Sequence, residues 1–175
     1  MLQTMLKIDK GLHPIWQGFS LEIEEDISFE MGGIYRLDGP NGSGKSSFIH
    51  KILLPRLLKN DKLHLIYIQQ QMHMQLYALR AWAALYYPHI RVKTENDVWQ
   101  LLWQDLAKLE DDKPVFVISD EAAELEFPGQ LARPMCVVYS SHKYQQPEQI
   151  KLRFIPQSSS LSLLTINAEA EEQTR

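Results

Sequence analysis

Residues 38–54 read DGPNGSGKSSFIHKILL, in which the pattern Gly-x-x-x-x-Gly-Lys-Ser is complete from Gly39 to Ser46. The apolar GIYRLDG comes before it, and SSFIHKILLPRLL follows. Glycines at this spacing let successive backbone N–H groups turn toward one anion, at the positive end of the next helix. The stretch therefore predicts a strand, a phosphate-binding loop, and a helix that continues until Pro55 disturbs it.

The residues of this loop are expected to bind a nucleotide. We expect Lys45 to reach the β- and γ-phosphates of a nucleotide and the Ser46 hydroxyl to reach Mg²⁺. The predicted nucleotide-binding residues are Gly39, Pro40, Asn41, Gly42, Ser43, Gly44, Lys45, Ser46 and Ser47. The alternative is a glycine-rich turn without a ligand, and the complete pattern with a strand before it and a helix after it argues against that.

A second candidate site lies in KPVFVISDEAAE, residues 113–124. An apolar strand ends there in Ser119, Asp120 and Glu121, and ligands of such sheets bind outside the strand ends. We expect Asp120 to hold Mg²⁺ and Glu121 to orient or deprotonate an attacking water. The alternative is that the strand ends in an acidic, solvated loop. This interpretation is the weaker one, because a phosphate loop lies upstream.

Two further strand ends carry polar side chains. IYIQQQ places Gln69, Gln70 and Gln71 after an apolar strand, where an amide can reach a metal-bound water, and VVYSSHK places His142 after another, where an imidazole can touch a γ-phosphate. Each is weak evidence alone, because polar residues commonly end strands. The order along the chain is the informative feature: phosphate loop, glutamine, Asp-Glu, histidine.

Composition indicates one soluble domain. The chain has 175 residues, 45% hydrophobic and 23% charged, with a net charge of −4 that gives no reason to expect nucleic acid as a partner. Its one cysteine, Cys136, excludes an intramolecular disulfide framework. We find no secretory signal and no apolar run long enough to span a bilayer, so we expect a cytoplasmic location without membrane insertion.

The remaining pattern predicts an α/β domain with a mostly parallel central sheet. Antiparallel strands are expected before the phosphate loop, at MLKID, FSLEIE and ISFEM. LHLIYI, VFVIS and MCVVYS read as strands buried on both faces, IKLRFIP and SLSLLTIN as two strands that can form a hairpin. Two helices are expected, at residues 76–87 and from a capping Thr94 onward. We expect one domain over residues 1–167 and a disordered tail over 168–175.

These motifs, in this order, resemble the ATP-binding-cassette (ABC) ATPases over residues 27–143. The resemblance implies a P-loop NTPase fold, Mg-ATP as ligand, and ATP hydrolysis. It also implies that one of Gln69, Gln70 and Gln71, with Gln70 slightly favoured, is the glutamine-loop residue that contacts the metal, and that His142 is the switch histidine. An aromatic side chain stacks on adenine in that family; Trp16 is the candidate, with Tyr35 or Phe19 as alternatives.

The resemblance breaks at the family's signature, a Leu-Ser-Gly-Gly-Gln-type sequence that caps the γ-phosphate of a partner subunit. Its place falls near KTEND, residues 93–97, where Glu95 and Asp97 would repel a triphosphate. The short interval between Gln71 and Asp120 also implies a reduced helical subdomain.

Three functions remain open from the sequence. The first is the ATP-binding subunit of an ABC transporter, reaching the membrane through a partner protein or paired with a second ATPase subunit that supplies the signature. The second is a nontransport ABC-like ATPase or nucleotide-dependent switch. The third is another P-loop protein such as a small kinase, disfavoured because the middle of the chain has few arginines, chiefly Arg80 and Arg91. The apolar helix of residues 76–87 is expected either to be buried in the reduced subdomain or to contribute, within residues 72–82, to a protein docking surface.

Overall fold

The computed structural model describes residues 3–70, 72–121, 133–141 and 150–168. The strands are β1 (Thr4–Ile8), β2 (Gly11–Trp16), β3 (Phe19–Ile23), β4 (Ile27–Glu30), β5 (Ile34–Asp38), β6 (His64–Ile68), β7 (Val115–Asp120), β8 (Met135–Ser140), β9 (Ile150–Ser158) and β10 (Leu161–Ala168). The helices are α1 (Lys45–Phe48), a π-helical stretch (Ile49–Leu53), α2 (Leu54–Leu57), α3 (Met72–Tyr86) and α4 (Glu95–Lys108).

Among the described residues, eight strands form one sheet in the order β2-β3-β10-β9-β5-β8-β7-β6. The run from β9 through β5, β8 and β7 to β6 is parallel throughout. β9 and β10 are antiparallel, as a hairpin requires, and β10 lies parallel to β3. The expectation of an α/β fold with a mostly parallel central sheet is confirmed, in the form of a mixed sheet.

The N-terminal strands are antiparallel where they pair with one another. β1 pairs with β4 in a separate two-stranded sheet, and β2 pairs with β3. Strand β2 was not predicted, because its sequence, GLHPIW, contains Pro14 and has little alternation of polar and apolar residues. Proline is tolerated there because β2 lies at the outer position of the described sheet, where a backbone donor is not required on both sides.

Two apolar clusters fill the two faces of the sheet. One contains Leu37, Phe48 and Phe116 and lies between the sheet and the helix after the glycine-rich loop. The other contains Trp103 and Val137 and lies under α4. β7 and β8 are buried nearly throughout, as predicted, because strands and packed side chains surround them.

The prediction that β6 is buried on both faces is wrong. Four of its five residues, His64 to Tyr67, are only half-buried. β6 stands at one end of the described sheet, so it has a neighbouring strand on one side only.

The helix after the loop changes near Pro55, as the sequence predicts, but it does not end there. The helical path widens into the π-helical stretch before the proline and continues to Leu57. Pro55 then occupies the first turn of α2, where a missing N–H costs little. The Arg56 guanidinium also donates a hydrogen bond of 2.9 Å to the carbonyl of Ile52.

The helix predicted over residues 76–87 begins earlier, at Met72, and ends at Tyr86. One side of it carries the buried Ala83, and Tyr87, just after the helix, donates a hydrogen bond to Asp105 of α4. The opposite side is open to solvent: Tyr77 is 72% exposed and Leu85 78%. The helix is therefore not buried all round.

α4 begins after Thr94, as predicted. The Thr94 hydroxyl accepts a hydrogen bond from the Asp97 N–H, and the Asp97 carboxylate accepts one from the Thr94 N–H, so the two residues form a capping box. Within the part of the chain that the structure describes, no helix is both long and apolar enough to cross a membrane. Ala168 ends β10, and the rest of the predicted tail lies outside the described residues.

Candidate functional site

The glycine-rich loop joins β5 to α1, and its glycines are required by the backbone. Gly39 has φ 153°, and a Cβ there would lie 2.7 Å from the carbonyl oxygen of Phe154. Gly44 has φ 102°, and a Cβ there would lie 3.0 Å from a methyl group of Leu21. A side chain at either position would therefore strain the loop or displace its neighbours. Gly42, also at positive φ, has open space around it and lines the cleft described below.

Lys45 folds back over this loop. Its ammonium donates hydrogen bonds of 2.7 Å to the Gly39 carbonyl and 2.9 Å to the Pro40 carbonyl, and the residue is buried. Burial lowers the pKa of Lys45, while the charges of Glu121, Asp38 and Asp120 act in the opposite direction. A cation is thus held at the mouth of the loop with several carboxylates nearby.

Asp120 ends β7 and is almost fully buried, with 2% of its surface exposed. One carboxylate oxygen accepts a hydrogen bond of 3.3 Å from the Ser46 hydroxyl and one of 3.1 Å from the Ser140 hydroxyl. Hydroxyl and carboxylate oxygens are the ligands that Mg²⁺ prefers. The described residues contain no group of three or more His, Cys, Asp or Glu side chains that could enclose a metal. Ser46 and Asp120 therefore fit a Mg²⁺ that takes its remaining ligands from phosphate and water.

Glu121 and Gln70 meet beside this pair. The Gln70 amide donates a hydrogen bond of 2.5 Å to the Glu121 carboxylate, although the two residues are 51 positions apart. The Glu121 N–H donates to the Ser140 hydroxyl at 2.9 Å, and Glu121 has a positive φ of 53°, which is uncommon outside glycine. Of the three candidate glutamines, Gln70 lines the cleft, Gln69 is not among its lining residues, and Gln71 lies outside the described residues.

Lys45, Ser46, Gln70 and Glu121 line one open cleft of about 350 Å³. Its lining includes Trp16, Asn41, Gly42, Gly44, Lys45, Ser46, Ser47, Gln70 and Glu121. Trp16 stands at one wall, half exposed, and stacks on Phe19 with ring centroids 5.0 Å apart. Ser43 faces away from solvent, and its hydroxyl is a buried polar group without a hydrogen-bond partner in the described part of the chain.

The two alternative aromatic candidates, Tyr35 and Phe19, are buried and are not among the residues that line the cleft. Tyr35 is buried in the core, where its hydroxyl donates to the Ser28 carbonyl and accepts from the Glu30 N–H. This burial raises the pKa of Tyr35 to about 12. Phe19 is buried beneath Trp16, so its ring supports that side chain and is not available to a ligand.

Two residues of the site were not predicted from the sequence. Ser140 bonds both Asp120 and the backbone of Glu121, and Gln75 bonds the loop that carries Gln70. Ser140 follows an apolar strand in VVYSSHK, but a hydroxyl at a strand end is too common to single out. The predicted switch histidine, His142, lies outside the described residues.

The start of α4, where the ABC signature would fall, is closed by its own side chains. One carboxylate oxygen of Asp97 accepts hydrogen bonds from the Lys93 N–H at 2.8 Å and the Thr94 N–H at 2.7 Å. These contacts lower the pKa of Asp97. The N–H groups of Lys93 and Thr94 therefore already have an anionic partner within the chain.

Comparison with solved structures places the fold. The chain is similar to an archaeal ribosome recycling factor, aABCE1, solved with the archaeal ribosomal stalk protein aP1, with a TM-score of 0.55 and 13% identity over 93% of this chain and 39% of that one. It is equally similar to an RNase-L inhibitor, with a TM-score of 0.55 and 14% identity over 94% of this chain and 39% of that one. The chain resembles part of an ABC ATPase in fold.

A third structure, ribosome-bound archaeal ABCE1 with Pelota, gives a TM-score of 0.54 and 14% identity over 96% of this chain and 35% of the other. This chain thus spans about two fifths of the length of these proteins. No protein-family model and no curated protein sequence matches it. At these identities the similarity concerns the fold alone, and function has to be argued from the cleft.

Proposed function

We propose that the chain is an ABC-type nucleotide-binding domain that binds Mg-ATP in the cleft and hydrolyses it. The observation that carries the proposal is the meeting of Lys45, Ser46, Glu121 and Gln70 at one opening, with the buried Asp120 bonded to Ser46 behind it. A buried cation, a hydroxyl-carboxylate pair and a second carboxylate are the groups that phosphoryl transfer needs.

In this function the triphosphate lies along the loop, with Lys45 exchanging the carbonyls of Gly39 and Pro40 for β- and γ-phosphate oxygens. Ser46 and Asp120 hold Mg²⁺, which when bound neutralises charge on the phosphate oxygens. Trp16 stacks on the base at the cleft wall.

The second carboxylate, that of Glu121, is the general base for hydrolysis. Glu121 accepts the proton of a water that attacks the γ-phosphorus, while the bond to the oxygen of the leaving ADP breaks. Gln70, which already contacts Glu121, orients that water. His142 completes the set as the residue that senses the γ-phosphate.

Two roles in a larger assembly are consistent with this proposed ATPase function. One is the ATP-binding subunit of a transporter, working with a membrane protein or a second ATPase subunit. The other is a nucleotide-dependent switch acting on a protein partner. The second has a structural parallel, because two of the fold neighbours are described as a ribosome recycling factor and as a ribosome-bound protein. Affinity purification followed by identification of the bound protein distinguishes the two.

Calorimetric titration with Mg-ATP tests the binding function itself. The wild-type protein should bind, and Lys45→Ala should bind far more weakly because the cation facing the phosphates is lost. Lys51→Ala is the matched control, since Lys51 is an exposed lysine on the same helical path. Unchanged affinity in Lys45→Ala, or an equal loss in both variants, would rule out this loop as the phosphate site.

A further inference from the structure

The loop that carries Gln70 is tied down by one side chain from the following helix. The Gln75 carboxamide donates a hydrogen bond of 2.7 Å to the Tyr67 carbonyl and accepts one of 2.9 Å from the Gln69 N–H. Both backbone groups therefore have a partner where β6 gives way to the loop.

The two hydrogen bonds of Gln75 form on the outer side of β6, at one end of the described sheet. In a parallel ladder, alternate residues of a strand point their backbone groups to the same side. The His64 N–H bonds to the Pro114 carbonyl, on the β7 side, so His64, Ile66 and Ile68 face β7. Tyr67 and Gln69 then face outward, where β6 has no neighbouring strand in the described sheet. Gln75 supplies the donor and acceptor that a further strand would have supplied.

This contact connects helix α3 with the site. Gln75 lies in the first turn of α3, and Gln70 lies between the backbone bond of Gln69 and the start of the helix. A shift of α3 would move Gln75, with it the backbone of Gln69, and then the amide that meets Glu121. α3 is also the helix whose outer side, with Tyr77 and Leu85, is open to solvent.

We infer that Gln75 is a positioning residue: its carboxamide holds the glutamine loop so that Gln70 contacts Glu121. This inference rests on the proposed function for its catalytic consequence but not for the backbone contact, so the two can be tested separately.

Amide hydrogen exchange of the nucleotide-free protein tests the contact directly. In Gln75→Met, which keeps the length of the side chain without its hydrogen bonds, exchange of the Gln69 amide should rise about fivefold, the effect of losing one hydrogen bond. Gln104→Met is the control, because Gln104 is an exposed glutamine on α4. An unchanged Gln69 amide in Gln75→Met would overturn the inference, whether or not the protein hydrolyses ATP.

The catalytic consequence is tested by a double-mutant cycle. Gln75→Met should lower kcat for ATP hydrolysis while leaving KM for Mg-ATP within about twofold, and it should have no further effect in a Gln70→Ala background, because both changes act through one contact. Additive losses of kcat would overturn the role of Gln75 in positioning Gln70. Failure of the wild type to bind Mg-ATP would instead refute the proposed function, and the exchange result would be unaffected.

Discussion

The amide of Gln70 lies 2.5 Å from the carboxylate of Glu121 and donates a hydrogen bond to it. The two side chains follow β6 and β7, which are adjacent parallel strands, so their carboxyl ends meet at one edge of the sheet. Glu121 therefore already has a polar partner beside the cleft. If Glu121 is the general base, as proposed, this contact orients its carboxylate before the nucleotide binds.

Replacing Glu121 by glutamine should separate binding from turnover. Glu121→Gln keeps the shape of the side chain but cannot accept a proton, so we expect Mg-ATP affinity to persist while kcat falls by at least ~10²-fold. Phosphate release measures kcat, and calorimetry measures affinity. Glu110→Gln, at an exposed position, is the control. A Glu121→Gln enzyme with wild-type kcat would mean that another group is the base.

Trp16 should contribute to binding of the adenine base of ATP and not to binding of the phosphates. Loss of a stacking ring typically costs about 1–3 kcal/mol, so Trp16→Ala should raise the Kd for ATP roughly 5- to 150-fold and leave the Kd for tripolyphosphate unchanged. Trp16→Phe should retain most of the affinity for ATP. Leu12→Ala serves as the control, because Leu12 is another exposed apolar residue of β2. If tripolyphosphate and ATP were weakened equally in Trp16→Ala, the residue would act through the loop and not through the base.

The isolated chain should not dimerise around two ATP molecules. The N–H groups of Lys93 and Thr94 are bonded to the Asp97 carboxylate, whose charge would also repel a triphosphate from a second copy. Size-exclusion chromatography of Glu121→Gln with Mg-ATP should therefore show the same elution volume as without nucleotide. An ATP-dependent homodimer would contradict this prediction, whereas a dimer that forms equally without nucleotide would not.

Stability should fall in acid partly through Asp111. This carboxylate accepts hydrogen bonds of 3.0 Å from His64 and 2.5 Å from Arg133, and these contacts lower the pKa of Asp111 to about 2 from 3.8. Because the folded-state pKa is the lower one, the contribution is complete above about pH 4 and is lost as pH falls through about 2.

Urea unfolding at several pH values measures this effect. The stability of the wild type should drop between pH 4 and pH 2 more steeply than that of Asp111→Asn, which cannot titrate at this position. Asp112→Asn, at the exposed neighbouring residue, should keep the wild-type slope. Equal slopes in wild type and Asp111→Asn would show that the contact with His64 and Arg133 does not stabilise the fold in acid.

Local patterns were readable from the sequence because their causes are local. The capping of α4 depends on Thr94 and Asp97, three residues apart, and Thr94 caps the helix as expected. Errors arose where distant packing decided the result. β6 was expected to be buried on both faces although it lies at one end of the described sheet, and Tyr35 was a candidate for the cleft although the fold buries it in the core.

The sequence by itself determined the glycine-rich loop, the α/β alternation and the identity of the acidic and amide side chains at the strand ends, because backbone conformation and apolar periodicity are properties of short segments. Only the tertiary structure decided which of these side chains meet. Strand order brings Ser140 of β8 to Asp120 and Gln70 to Glu121, and the outer side of β6 in the described sheet gives Gln75 its two backbone partners. Contacts of this kind depend on which strands become neighbours, a choice made by the packing of the whole sheet and not by any segment alone.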